Sequence, residues 1–82
     1  MVNSSLEKLK GAFINAFGVS PNSEFESMAY GQTPRWDSVA HLVLINEIEA
    51  AFDIMLATDE VIGMSSFLKA KEIVVRKGIS FT

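Results

Sequence analysis

Apolar residues fall at helical spacing along most of the chain, in four segments. In the first, Leu6, Leu9, Phe13 and Phe17 recur every three or four residues with Ala12 and Ala16 beside them, as on one buried helical face. Ser4 followed by Glu7 fits a capping box, in which each side chain satisfies a free backbone N–H of the first turn. Gly18 supplies a left-handed stop. The spacing predicts a first helix from about Ser5 to Phe17.

From Gly18 to Trp36 the chain carries Pro21, Gly31 and Pro34 among Ser and Asn. That composition breaks any continuous helix and predicts a long ordered loop, pinned by Phe25, Met28, Tyr30 and Trp36, with one helical turn within Ser23 to Met28. A loop this long in a short chain tends to have a functional reason.

After Trp36-Asp37-Ser38 comes the strongest helical signal, from Val39 to Phe52 without Gly or Pro. On a helical wheel Leu42, Ile45, Ile48 and Phe52 share the predicted core stripe, flanked by Leu44 and Ala51. The other side holds Val39, Val43, Asn46, Glu47 and Ala50, with one charge where a solvent face ordinarily carries several. Thr58 is expected to cap a short acidic-headed helix, Asp59 to Ile62, ended by Gly63. Ser65 or Ser66 caps the last helix, in which Phe67, Ala70, Ile73 and Val74 face inward. Lys69, Lys71, Arg76 and Lys77 enrich its exposed side and last turn, and Gly78 closes it. The tail from Ile79 to Thr82 lies on the surface or pairs weakly. No strand pattern or repeat competes. The expected fold is all-α: a small four-helix bundle of three main helices and one short one, with a long loop between helices one and two, in a single domain over residues 1–82.

Composition narrows the function. With 82 residues, 49% hydrophobic and 21% charged, the chain supports one core and buries only about 60% of its unfolded surface, which leaves little room for a deep substrate cleft and argues against a self-sufficient enzyme. The longest apolar runs, Leu42 to Ile45 and Ile54 to Ala57, are four residues each, so no membrane span is expected. The N-terminus lacks the basic start and apolar stretch of a secretory signal, and a cytoplasmic location and a monomeric state are the expectations. Net charge −3 and a pI near 4.9 oppose the basic footprint of a nucleic-acid binder. Between Arg35 and Lys69 there is no Lys or Arg, while Asp37, Glu47, Glu49, Asp53, Asp59 and Glu60 all fall there. That asymmetry serves solubility or steers a basic partner surface.

Candidate chemistry is sparse. One His and no Cys rule out an imidazole or thiolate metal cluster, and the carboxylates form no calcium-loop pattern. What remains is Asp37-Ser38 at a helix start with His41 one turn later. Asp-Ser before an apolar run reads locally as a helix cap, and a Ser-His hydrolase would need an oxyanion hole and a third group that the sequence does not offer.

In wider context, the run Trp36-Asp37-Ser38-Val39-Ala40-His41-Leu42 through Glu49-Ala50-Ala51-Phe52-Asp53-Ile54 resembles the centre of an acyl carrier protein. In that family an Asp-Ser-Leu signature opens the second helix, and a Glu-rich segment followed by Phe, Asp or Gly, and Ile closes it. The resemblance extends over essentially the whole chain: first helix, long loop, signature helix, short third helix, and a fourth entered through Met64-Ser65-Ser66-Phe67. It implies that Ser38 receives 4′-phosphopantetheine from coenzyme A, whose terminal thiol carries acyl groups as thioesters. Asp37 would position the serine for the phosphopantetheinyl transferase and its magnesium. The absence of cysteine is consistent, because the cofactor brings the thiol. The implied protein is not an enzyme; partners load and process its cargo.

Two departures stand out. Val39 replaces the usual Leu, and Ala40, Val43, Asn46 and Ala50 replace much of the acidic surface of fatty-acid carriers. The expectation is therefore a dedicated carrier for a specialised route, polyketide-like, aminoacyl or modified-lipid. Its loading ligase and downstream transferases or synthases would dock on Val39, Val43, Asn46 and Glu47. Alternatively, the loop bearing Phe25 and Met28 covers Val43. His41 reads as a half-buried polar residue at the bundle edge or as a contact of the phosphate or pantetheine arm. The competing function is an unmodified helical interaction domain using the acidic and apolar second helix, with Asp37-Ser38 only a cap.

Overall fold

The computed structural model describes residues 4–81, and the described residues form four α-helices and no strand. Helix α1 spans Ser4–Phe17, α2 Ser38–Phe52, α3 Thr58–Gly63 and α4 Phe67–Arg76. The small all-α bundle predicted from the spacing is the observed architecture. Ser4, the first described residue, is already helical, so it does not stand as the cap that the Ser4 and Glu7 pattern implied. Leu9, Ala12, Phe13 and Phe17 face the core as expected. Gly18 ends the helix at φ 67°, its N–H donating to the Ile14 carbonyl at 2.8 Å. A side chain there would be strained whatever the space around it.

The centre of the core is aromatic. The Phe13 ring meets Phe17, Trp36 and Phe67 at centroid distances of 5.5, 5.4 and 4.9 Å, all steeply inclined, the edge-to-face geometry that adds about 0.5–1.5 kcal/mol per pair beyond area burial. Phe25 reaches Phe67 at 5.5 Å. These contacts join α1, the loop and α4 in one cluster. The loop is thus ordered by Phe25, Met28 and Trp36, all buried, and contains the expected single turn, a 3-10 helix at Phe25–Ser27. It is strapped to the α3–α4 turn by backbone bonds from Tyr30 N–H to Ser65 O at 2.9 Å and from Phe67 N–H to Met28 O at 3.2 Å.

Helix α2 corrects the predicted stripe. Leu44, Ile45, Ile48 and Phe52 are its buried residues, whereas Leu42 is 60% exposed. The buried set continues backwards to His41, one turn ahead of Leu44 and Ile45, so a half-buried histidine holds the place that pattern reading assigns to a leucine. Asp53 closes α2 in the left-handed region at φ 54°, which its short polar side chain tolerates.

One further expectation shifts. Ala57, not Thr58, is the N-cap of α3; Thr58 is its first helical residue, and Glu60 reaches back to accept the Ala57 N–H at 2.8 Å. Met55, in the apolar run before α3, is 83% exposed. Ser66 caps α4 as predicted, accepting the Lys69 N–H at 3.1 Å, and Phe67, Ala70, Ile73 and Val74 are buried. Of the tail, Ile79 and Phe81 pack partly against the core, and Thr82 lies outside the described residues.

The corrected stripe separates two neighbouring leucines. Leu44→Ala should cost about 2–5 kcal/mol by urea denaturation, while Leu42→Ala should shift stability by no more than about 0.5 kcal/mol; equal effects would contradict the observed rotation of α2.

Candidate functional site

Ser38 is exposed and is the first residue of α2. The helix starts here because Asp37, in extended conformation, turns its carboxylate back to accept the Ala40 N–H at 2.9 Å. Among the described residues no acceptor faces the Ser38 or Val39 N–H. An anionic substituent on Ser38 would therefore meet free donors and the positive end of a fifteen-residue helix. Arg35 precedes this turn at φ 72°, an uncommon backbone for a residue with a Cβ. It lies with Thr33, Trp36 and Asp37 around a shallow concavity beside the cap.

One turn into α2, His41 is held at both nitrogens. The Trp36 indole N–H donates to its Nδ1 at 3.0 Å, and its Nε2 lies 2.8 Å from the Val61 carbonyl oxygen on α3. An indole nitrogen can only donate and a carbonyl can only accept, so the pair of contacts selects the neutral imidazole with its hydrogen on Nε2. The indole and imidazole planes are 19° apart, and Tyr30 stands edge-on to the imidazole at 5.5 Å. With both nitrogens engaged, His41 is not placed as a general base for Ser38, and the triad geometry that a hydrolase needs is not present.

Ser38 and His41 share a groove of about 420 Å³ with Tyr30, Leu42, Ile62, Met64 and Ser65. Met64 is fully buried and floors it; Leu42 and Ile62, from α2 and α3, are its exposed walls at 60% and 76%. It is an apolar slot with a hydroxyl at its mouth. Helix α3 has no fully buried residue of its own; half-buried Val61 packs against the core, and polar contacts hold the rest. Besides the His41 bond, Lys77 Nζ pairs with Glu60 Oε1 at 2.7 Å, and Glu49 accepts the Leu56 N–H at 2.9 Å just before the helix. The Lys77 ammonium beside Glu60, with the Ala57 N–H, holds that carboxyl below its ordinary value of 4.5.

The predicted docking residues divide. Val39 is 72% and Val43 40% exposed, and Asn46 is exposed, so the loop bearing Phe25 and Met28 does not bury Val43. Glu47 is half-buried, its Oε1 accepting from Asn15 Nδ2 of α1 at 2.9 Å; it braces two helices. Tyr30 is 45% exposed and lines the groove, so it does more than pin the loop. Ile62 and Met64 were not anticipated at the site. Their exposure pattern depends on where the short α3 settles, and nothing in the local spacing shows that.

Among the described residues no three His, Asp or Glu side chains gather as for a metal ion, and no helix is long and apolar enough to cross a membrane. No protein-family model, curated protein or solved structure matches the chain.

Because the Glu60 carboxyl lies below 4.5, its ion pair stabilises the fold above the unfolded carboxylate range and is lost as pH falls through the lowered folded value. An NMR titration should place the Glu60 midpoint below 4.5, and Lys77→Met should raise it; an unmoved midpoint would show that the pair does not form in solution.

Proposed function

We propose that the chain is an acyl-carrier-like protein, modified on Ser38 and serving partner enzymes rather than performing catalysis itself. The observation that carries this reading is the position of Ser38: an exposed hydroxyl on the first turn of α2, capped by Asp37 and opening onto an apolar groove. The resemblance of the Trp36-Asp37-Ser38 segment and of the helix order to acyl carrier proteins supports it independently.

The residues present fit a 4′-phosphopantetheine group. In the transfer, made by a phosphopantetheinyl transferase with magnesium, the Ser38 Oγ–phosphorus bond forms as the pyrophosphate link of coenzyme A breaks. Adenosine 3′,5′-bisphosphate leaves, and the hydroxyl proton goes to the transferase. Once attached, the group supplies a terminal thiol that bears acyl or aminoacyl cargo as a thioester. Asp37 keeps the helix start rigid and orients Ser38, the free first-turn N–H groups favour the phosphodiester charge by about 0.3–1 kcal/mol, and Leu42, Ile62 and Met64 offer apolar shelter beside it. Loading ligases and downstream transferases or synthases would dock along Val39, Val43 and Asn46. The same reading takes the protein as cytoplasmic and monomeric.

A second reading, an unmodified interaction domain, is favoured by the exposed apolar residues Val39, Val43 and Ile62, which would bind a partner without any cofactor. The two differ in covalent modification.

Incubation with coenzyme A, magnesium and a broad-specificity phosphopantetheinyl transferase should raise the intact mass by one phosphopantetheine, and Ser38→Ala should abolish the gain. A folded protein that gains nothing from several such transferases would favour the interaction domain.

A further inference from the structure

We infer that His41 is a positioning residue that latches α3 across the groove in its neutral form and releases α3 when the ring is protonated. Helices α1, α2 and α4 each bury four residues, whereas α3 buries none. Apart from the half-buried Val61 packed against the core, the wall it gives the groove through Ile62 is held by a few polar tethers. The one nearest Ser38 is the bond from His41 Nε2–H to the Val61 carbonyl. The ring is held in line for that bond by the Trp36 indole N–H, which Nδ1 accepts. A second proton on the ring turns Nδ1 into a donor facing the indole N–H, and Trp36, 2% exposed, has no water to turn to. The bond between them is lost, the imidazolium swings toward solvent, and the Val61 carbonyl is freed with it.

The surroundings contain nothing to compensate an imidazolium in place. Tyr30 from the loop stands against the ring, Arg35 lies beside Tyr30 and Trp36, Asp37 is one turn ahead of His41 at the start of α2, and Asp59 and Glu60 precede Val61 on α3. The Asp37 carboxylate is spent on the Ala40 N–H and that of Glu60 on Lys77 and the Ala57 N–H, and none of these groups forms an ion pair with His41. From α1 the neighbours of Trp36 are the apolar Phe13 and Phe17. Glu60, whose carboxyl is held low by Lys77, stays ionised where histidines titrate, so its tether persists while that of His41 goes. The result is a hinged opening of α3 at its C-terminal half. The latch belongs to the fold and does not depend on whether Ser38 carries a cofactor.

The test uses the unmodified protein. Nitrogen-15 shifts of the imidazole at about pH 8 should report a neutral ring with its hydrogen on Nε2. Amide exchange at Val61 and Ile62, divided by the intrinsic rates, should reveal about three- to tenfold more opening on going to about pH 5. His41→Gln keeps one acceptor and one donor at similar separation but does not titrate, and its α3 opening should be flat over the same range. A ring protonated on Nδ1, or wild-type opening that tracks the Gln variant, overturns the latch. Should the variant not fold, the Trp36 indole N–H resonance decides alone: it must shift in step with the His41 titration, and an indifferent resonance overturns the proposal.

Discussion

A buried indole N–H must find an acceptor, and the arrangement around Ser38 follows from how Trp36 finds one. Its ring is drawn inward by Phe13 and Phe17, which fixes the end of the loop and delivers Asp37 and Ser38 to the start of α2. Burial of the ring commits its nitrogen to His41 Nδ1, because an unpaired buried donor costs about 1–3 kcal/mol. That choice in turn fixes the histidine tautomer and aims Nε2 at α3. One hydrophobic contact thus propagates through a hydrogen-bond chain into the position of a helix that shares little of the core.

The molecule divides accordingly. Helices α1, α2 and α4 with the loop form a well-packed body, and α3 is an accessory held at its N-terminal end by Glu60 and Lys77 and at its C-terminal end by His41. Such a division would suit the proposed carrier role: Ser38 sits on the stiff part, and the adjustable wall beside it could respond to different occupants without disturbing the core. The positive φ of Arg35 just ahead of the cap belongs to the stiff part too, since the buried Trp36 beside it over-determines the local backbone.

Much of this was legible in the chain because helical spacing, caps and stops are local signals. The α1 face, the Asp37 and Ser66 caps, the Gly18 stop and the inward face of α4 all stand where local spacing puts them. The stripe of α2 differs from its pattern for a physical reason: with apolar residues nearly all round, the helix has no sharp polar side, and the residue marking the inner face is His41, which reads as polar. Tyr30 and Glu47 escape the local pattern because their placement depends on contacts across the fold, with the groove and with Asn15. The serine and its cap were visible as a motif; the groove was not, being assembled from three separate segments.

The hydrogen bond between the chain's single tryptophan and an ionisable ring has a spectroscopic consequence. A neutral imidazole accepting from an indole and an imidazolium beside it perturb the indole excited state differently, the charged ring being the stronger quencher. The intrinsic fluorescence of the protein therefore reports directly on this one junction between loop, α2 and α3, and no label need be introduced to watch it.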